Sequence, residues 1–386
     1  MGAGRDGAVR EAQEAVKIGY HAPPPGSATG VADYADTLFG ALQRFGALQR
    51  LGPVERGARG DIDLYHLGNN RFHEAIYAQA LERPGVAVLH DAVLQHFFLG
   101  TRTHEEYMAE WIHNYGEWRR DLGEELWRER GRASVDPRYF EFPMLRRIVE
   151  RSRAVIVHNP GAAEMAREHG AKHVEVIPHF VVPARSVPDA ATTAAFRARI
   201  GVTQGARLFG IFGYLREPKR VMTCIAAFRE LYGARPDTAL LIAGEPVSKD
   251  LARLLDREPP HPAIRRLGHL SEEDLMIAAA TVDCCLNLRY PAAGETSGIA
   301  VRLMGMGKPV VISDIAENSA YPETAVLRVR PGVAERGELF DHMVVAAAFP
   351  QVAKDIGEQA RIWIERHHAL EAIAQRYWEV LCASSA

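Results

Sequence analysis

The chain has 386 residues, 47% of them apolar and 25% charged, which is more than one hydrophobic core normally holds and predicts two domains of ordinary size. A formal charge of −3 and a sequence pI near 6.6 exclude a global attraction to nucleic acid or anionic lipid, so phosphate recognition must be local and membrane contact at most peripheral. Cys224, Cys284, Cys285 and Cys382 have no C-x-x-C spacing, and no run is long and apolar enough for a leader or a membrane span; reduced core thiols, no cofactor and a cytoplasmic location are the expectations.

Short apolar runs alternate with longer amphipathic ones almost from end to end, which predicts an α/β chain of βα units building parallel sheets. In the first half, strands are expected at residues 16–21, 61–67, 86–91, 154–159 and 174–179. Several end in His, Asp or Asn, residues that would line a crevice at the strand ends. The first runs into Pro23-Pro24-Pro25-Gly26-Ser27-Ala28-Thr29-Gly30, a turn before a helix whose backbone N–H groups, Gly30 included, can face an anion; a simple strand-to-helix turn explains it equally well. Asp61-Ile62-Asp63 imitates a metal-binding DxD but begins a strand, so no metal site is assigned. Beyond that strand, Asn69, Asn70 and His73 are candidate ligand-binding residues, with a local turn and helix cap as the equal alternative. Leu89-His90-Asp91 sets two titratable groups at a strand end, where a His can position substrate near neutral pH. Residues 103–153 interrupt the alternation with a helix-rich insert carrying Trp111, Trp118 and Trp127. Aromatic packing between extra helices is preferred there over a cover for the cleft.

A Pro- and Ala-rich stretch, residues 182–193, reads as an interdomain linker, dividing residues 1–183 from a second domain at 184–365. Strands are expected there at 207–213, 239–244, 264–268, 284–289, 309–314 and 325–330. After the first of them, Arg216, Lys219 and Arg220 gather at a helix start, where positive charge opposes the helix dipole unless an anionic ligand offsets it; Lys219 and Arg220 are therefore read as phosphate ligands. In the turn from Arg289 to Ile299, Thr296 or Ser297 can cap the next helix, and Glu295 either receives sugar hydroxyls or merely complements the helix N-terminus. Leu370, Ile373, Ala374, Tyr377, Trp378 and Leu381 form a helical stripe, so the segment 366–386 is expected to pack back on the first domain.

Gly294-Glu295-Thr296-Ser297-Gly298 running on to Gly307-Lys308-Pro309, Phe212-Gly213 with Lys219-Arg220, Gly268-His269-Leu270-Ser271-Glu272, and Pro178-His179 together resemble the family-4 retaining glycosyltransferases. Those enzymes have the GT-B fold, two Rossmann-like domains whose parallel sheets face a central cleft. The resemblance spans roughly residues 16–382. It implies transfer of a hexose-type sugar from a UDP- or GDP-sugar to a hydroxyl of a carbohydrate or other acceptor, with retention and without metal. It implies a donor site of Gly30, Gly213, Arg216, Lys219 and Arg220 around the diphosphate, Gly268, His269 and Leu270 along the base, and Glu295, Thr296, Ser297 and Gly298 around the sugar. His90 would approach the reacting centre, with Asp91, Asn69, Asn70 and His73 on the acceptor side. Two positions depart from the family pattern. Its second acidic residue, which holds the ribose, falls near Arg302 or Leu303, and Tyr214 stands where arginine is common. A nucleotide-sugar epimerase and a nucleotide-sugar-binding protein without turnover are the rival readings.

Overall fold

The computed structural model describes residues 16–27, 29–51, 60–181 and 188–385. The strands described form two sheets. In the first, β1 (Lys17–His21), β2 (Ala47–Arg50), β3 (Ile62–Leu67), β4 (Val86–Leu89), β5 (Ala154–Val157) and β6 (Val174–Val176) lie in the order β2-β1-β3-β4-β5-β6. In the second, β7 (Arg207–Phe212), β8 (Thr238–Ala243), β9 (Ile264–Leu267), β10 (Cys284–Asn287), β11 (Val310–Ser313) and β12 (Leu327–Val329) lie in the order β12-β11-β10-β7-β8-β9. Every pairing is parallel. Parallel sheets need both faces covered, and β3, β4, β5, β8, β10 and β11 are buried along their whole length.

Both sheets are Rossmann-like, and each reverses its strand order once, between β1 and β3 in the first and between β7 and β10 in the second. Ligands of doubly wound sheets sit beyond the C-terminal strand ends at such reversals, which directs attention to the turns after β1, β3, β7 and β10.

The expected strands are present, and one more, β2, was not anticipated. Its sequence, Ala-Leu-Gln-Arg, has no apolar run because it is a partly exposed edge strand held by backbone pairing to β1. The expected linker is corrected in part. Its residues 182–187, and the domain boundary placed at 183, lie outside the described residues, as do residues 1–15. Residues from Ala190 onward are not linker but the helix Ala190–Arg199, capped by Asp189, whose carboxylate accepts from Thr192 N at 2.7 Å. An Ala-rich run behind an Asp cap favours helix, and Phe196 anchors it in the second domain's core.

The terminal helix Leu370–Ser385 returns to the first sheet. Ile373, Ala374, Tyr377 and Leu381 are buried against Ile18, Tyr20, Leu38 and Leu64, and the Tyr377 and Tyr34 hydroxyls are 3.0 Å apart. The insert is a group of helices, among them His104–Tyr115 and Arg120–Glu129. Trp111 is fully buried between them, donating to Arg119 O at 2.9 Å, and Trp127 packs on Tyr107. Trp118 departs from the packing expectation: it is 78% exposed, beneath the Arg119 guanidinium. The four cysteines are free, and Cys224, Cys284 and Cys285 are buried. No helix among the described residues is long and apolar enough to cross a membrane.

Candidate active site

At the end of β7 the chain turns through Gly213, whose φ of +81° suits glycine, and then folds Lys219 back beneath the turn. Lys219 Nζ donates to Phe212 O at 2.5 Å and would lie 3.1 Å from a Cβ at residue 213. Burial, reinforced by the nearby Arg289 and Arg216 guanidinium groups, pushes its ammonium down to about 7. A buried amine among positive neighbours gains most from an arriving anion. Arg216 is exposed and forms no ion pair among the described residues. Arg220 corrects the expectation of a phosphate ligand. It adopts a left-handed φ of 55° and forks onto the buried Glu335 at 2.6 to 3.1 Å, so its charge is neutralised within the domain.

Beyond β10, Arg289 was not singled out from the sequence, yet it organises the turn. Its Nη1 donates to Glu295 Oε1 at 2.8 Å and its Nη2 to Ser297 Oγ at 3.2 Å, while Glu295 Oε2 accepts from Ala293 N at 2.7 Å. Ser297 caps the helix Gly298–Gly305 by accepting from Ala300 N at 3.3 Å. Thr296 instead crosses to the first domain, where Asn159 Nδ2 donates to its hydroxyl at 3.0 Å and to Gly294 O at 2.9 Å. Ala92 N and Val93 N both donate to Ala293 O, at 2.7 and 2.9 Å. The loop after β10 thus rests on the ends of β4 and β5, which closes one side of the cleft. Gly294 permits this approach: its φ is +76°, and a Cβ there would lie 2.4 Å from Ala92 Cβ. Gly294→Ala is expected to cost about 1–3 kcal/mol at that φ and to part the two domains at this contact. Small-angle scattering should then show a larger radius of gyration, and an unchanged profile would overturn the contact's role.

On the first-domain side, His90 follows β4 between two other buried imidazoles. His66 Nδ1 is 2.9 Å from His90 Nε2, His90 Nδ1 is 3.3 Å from His158 Nε2, and His158 Nδ1 is 2.9 Å from Ile177 O. A carbonyl only accepts, so His158 carries its proton on Nδ1, and neutrality then makes His90 Nδ1 donate to His158 and His66 Nδ1 donate to His90. Burial, then mutual repulsion, holds His66 and His90 well below the ordinary histidine range; burial takes His158 to about 4. The expectation that the His90 ring reaches a sugar is corrected to this extent: both its nitrogens are spent inside the domain.

Asp91 faces the second domain. Its Oδ2 accepts from Asn69 N at 2.8 Å, and burial followed by the Glu295 carboxylate lifts it to about 6. The neighbouring candidates do local work. Asn69 Oδ1 accepts from Phe97 N at 2.7 Å, Asn70 Oδ1 from Phe72 N at 3.0 Å, and the buried His73 donates from Nδ1 to His66 O at 2.9 Å. Gly30 opens the helix Gly30–Leu42 behind the Thr29 cap, with open space where a Cβ would stand. In that helix's first turn, burial and then the Glu272 carboxylate of the second domain raise Asp33. Glu272 pairs with Arg302 Nη1 at 2.6 Å, and Leu303 is fully buried, so neither position near the family's second acidic residue presents a carboxylate. Gly268 and His269 are exposed beside Glu245, whose Oε1 accepts from His269 N at 3.2 Å, and Leu270 is half-buried against the second core. The Tyr214 and His269 rings lie 6.4 Å apart at 28°.

No family model and no curated protein matches the chain. Its fold is shared with solved glycosyltransferases of the GT-B class. HepE of Anabaena, solved with UDP and glucose, superposes with a TM-score of 0.67 at 15% identity, covering 95% of this chain and 100% of its own. Sucrose-phosphate synthase of Thermosynechococcus elongatus gives 0.65 at 16% identity, with 95% and 100% covered. WaaG, a glycosyltransferase involved in lipopolysaccharide biosynthesis, gives 0.61 at 14% identity, with 95% and 99% covered. The architecture is therefore GT-B, two Rossmann-like halves with the terminal helix returned to the first.

Proposed function

We propose that the chain is a glycosyltransferase that moves a hexose-type sugar from a nucleoside-diphosphate sugar to an acceptor hydroxyl, with retention and without metal. The observation that carries this reading is Lys219, a buried amine lowered to about 7 at the reversal of the second sheet, with Arg216 beside it, which forms no ion pair among the described residues. That HepE is solved in complex with UDP and with UDP-glucose supports a nucleotide-sugar donor. In this reading residues 184–365 hold the donor and residues 1–183 the acceptor. Lys219, Arg216 and the start of the helix at Gly30 receive the diphosphate, Glu295 and the Ser297-capped turn receive the sugar, and Asp91 borders the reacting carbon. The bond from the anomeric carbon to the diphosphate breaks with its electron pair leaving on the phosphate oxygen. The acceptor oxygen forms its bond on the same face, and its proton passes to that phosphate. His90 acts through position, as the donor that links His158 to His66 beneath the cleft.

Purified protein with UDP-glucose or GDP-mannose in EDTA is expected to release nucleoside diphosphate slowly by hydrolysis and faster with an acceptor, the product anomer matching the donor by NMR. Release of no nucleotide from any donor, or conversion of the donor sugar without an acceptor, would overturn the reading, the latter in favour of an epimerase.

A further inference from the structure

Between the ends of β7, β8 and β9 lies a cavity of about 340 Å³, walled by Leu215, Gly244, Glu245, Pro246, Arg266 and Gly268. Its floor is made by backbone. A Cβ at Gly244 (φ +152°) would fall 2.1 Å from Gly213 O, so only glycine lets the two turns approach there, and one at Gly268 would fall 2.4 Å from Glu245 Oε1, displacing that carboxylate. Of its two charged wall residues, Arg266 is turned away, donating to Leu255 O at 2.8 Å and to Asp256 at 3.2 Å. Glu245 stands exposed at the rim, oriented by the His269 N–H on Oε1 at 3.2 Å, and among the described residues its Oε2 accepts nothing from the protein. At the mouth, the Tyr214 and His269 rings are close to parallel with 6.4 Å between centroids, flat faces on which a planar ring can stack.

We infer that this cavity takes the base of the donor nucleotide and that Glu245 selects guanine. The inference rests on the donor-site reading above and names its base. A carboxylate only accepts, and its two oxygens match two adjacent N–H donors. Guanine alone among the common bases sets two such donors, N1–H and the 2-amino group, side by side on one edge. Uracil offers N3–H between two carbonyl oxygens, which the carboxylate repels, and adenine and cytosine offer an amino group beside a bare ring nitrogen. Gly213 joins this cavity to Lys219, since its carbonyl borders the floor at Gly244 and its Cα borders the Lys219 amine. A nucleotide with its base against Glu245 would thereby carry its diphosphate toward Lys219.

The test is calorimetric binding of GDP, inosine diphosphate and UDP to the full chain, to Glu245→Gln and to Lys219→Ala. Inosine diphosphate differs from GDP only by the missing 2-amino group. Wild type is expected to bind GDP about tenfold more tightly than inosine diphosphate, and more tightly still than UDP, since a hydrogen bond to a charged group commonly contributes that much. Glu245→Gln keeps an acceptor for His269 N and should bring GDP and inosine diphosphate to within about twofold of each other, whereas Lys219→Ala should weaken all three nucleotides together. Tighter binding of UDP than GDP, or a GDP preference that survives Glu245→Gln, would overturn guanine selection and leave the donor site intact. Binding of no nucleotide to wild type would overturn the donor site itself.

Discussion

Lys219→Ala is expected to lower kcat/KM by about 10²–10³, the loss usual when one preorganised donor to a developing negative charge is removed. The side chain is buried against the Gly213 turn, so solvent has little room to substitute. The fold should survive, because the substitution removes a charge that burial disfavours and leaves only the Phe212 carbonyl without its partner. The pH dependence follows from the direction of the shift. With the empty site at about 7, the amine is charged below that pH and increasingly neutral above it. A diphosphate binds the charged form, so above pH 7 each binding event must take up a proton, and affinity should fall by up to about tenfold per pH unit. Calorimetry at pH 8 in two buffers of different ionisation enthalpy should report an uptake approaching one proton in wild type and close to none in Lys219→Ala. Equal uptake in the two proteins would remove Lys219 from the donor site.

Much of this site was legible because its signals are local. A glycine, three basic residues and a helix start within eight positions can be read from the chain, as can the i, i+3, i+4 stripe of the terminal helix. What was hidden is pairing at long range. Arg220 looks like a second phosphate ligand until Glu335 is found 115 positions further on, and Asn159 acquires meaning only through Gly294, 135 positions away. The same holds for the histidines. The histidines near the strand ends stand at positions 66, 90, 158 and 179, and nothing in the pattern says that three of these rings bond in a row, leaving His90 no free nitrogen. β2 was invisible for another reason: a short edge strand with no buried face carries no hydrophobic period to detect.

Those histidines set the second large expectation, which concerns stability in acid. His66, His90, His158 and His179 ring the buried Tyr34, with centroids 4.8 to 6.2 Å from it. All four are held neutral mainly by burial, His158 at about 4 and His179 at about 3, and His73 and His368 behind them lie at about 4. Their unfolded values lie near 6.5, so between 6.5 and about 4 the unfolded chain binds more protons than the folded one, and stability is full above 6.5 and lost as pH falls. Each site removes about 1.4 kcal/mol per pH unit, and Asp91, raised to about 6, offsets roughly one of them because its folded form binds the extra proton. Together the histidines would remove several kcal/mol as pH falls below 6.5, on the order of a total stability of about 5–15 kcal/mol. Unfolding is therefore expected between about pH 5 and 6, far above the range where surface carboxylates titrate. Urea titrations from pH 7.5 to 5 should show the unfolding free energy falling steeply below 6.5, and His179→Phe, which keeps an aromatic face against Tyr34, should flatten that slope by about one proton. An unfolding free energy level across this range would mean that the imidazoles accept protons in place, and the neutral relay beneath the cleft would have to be abandoned.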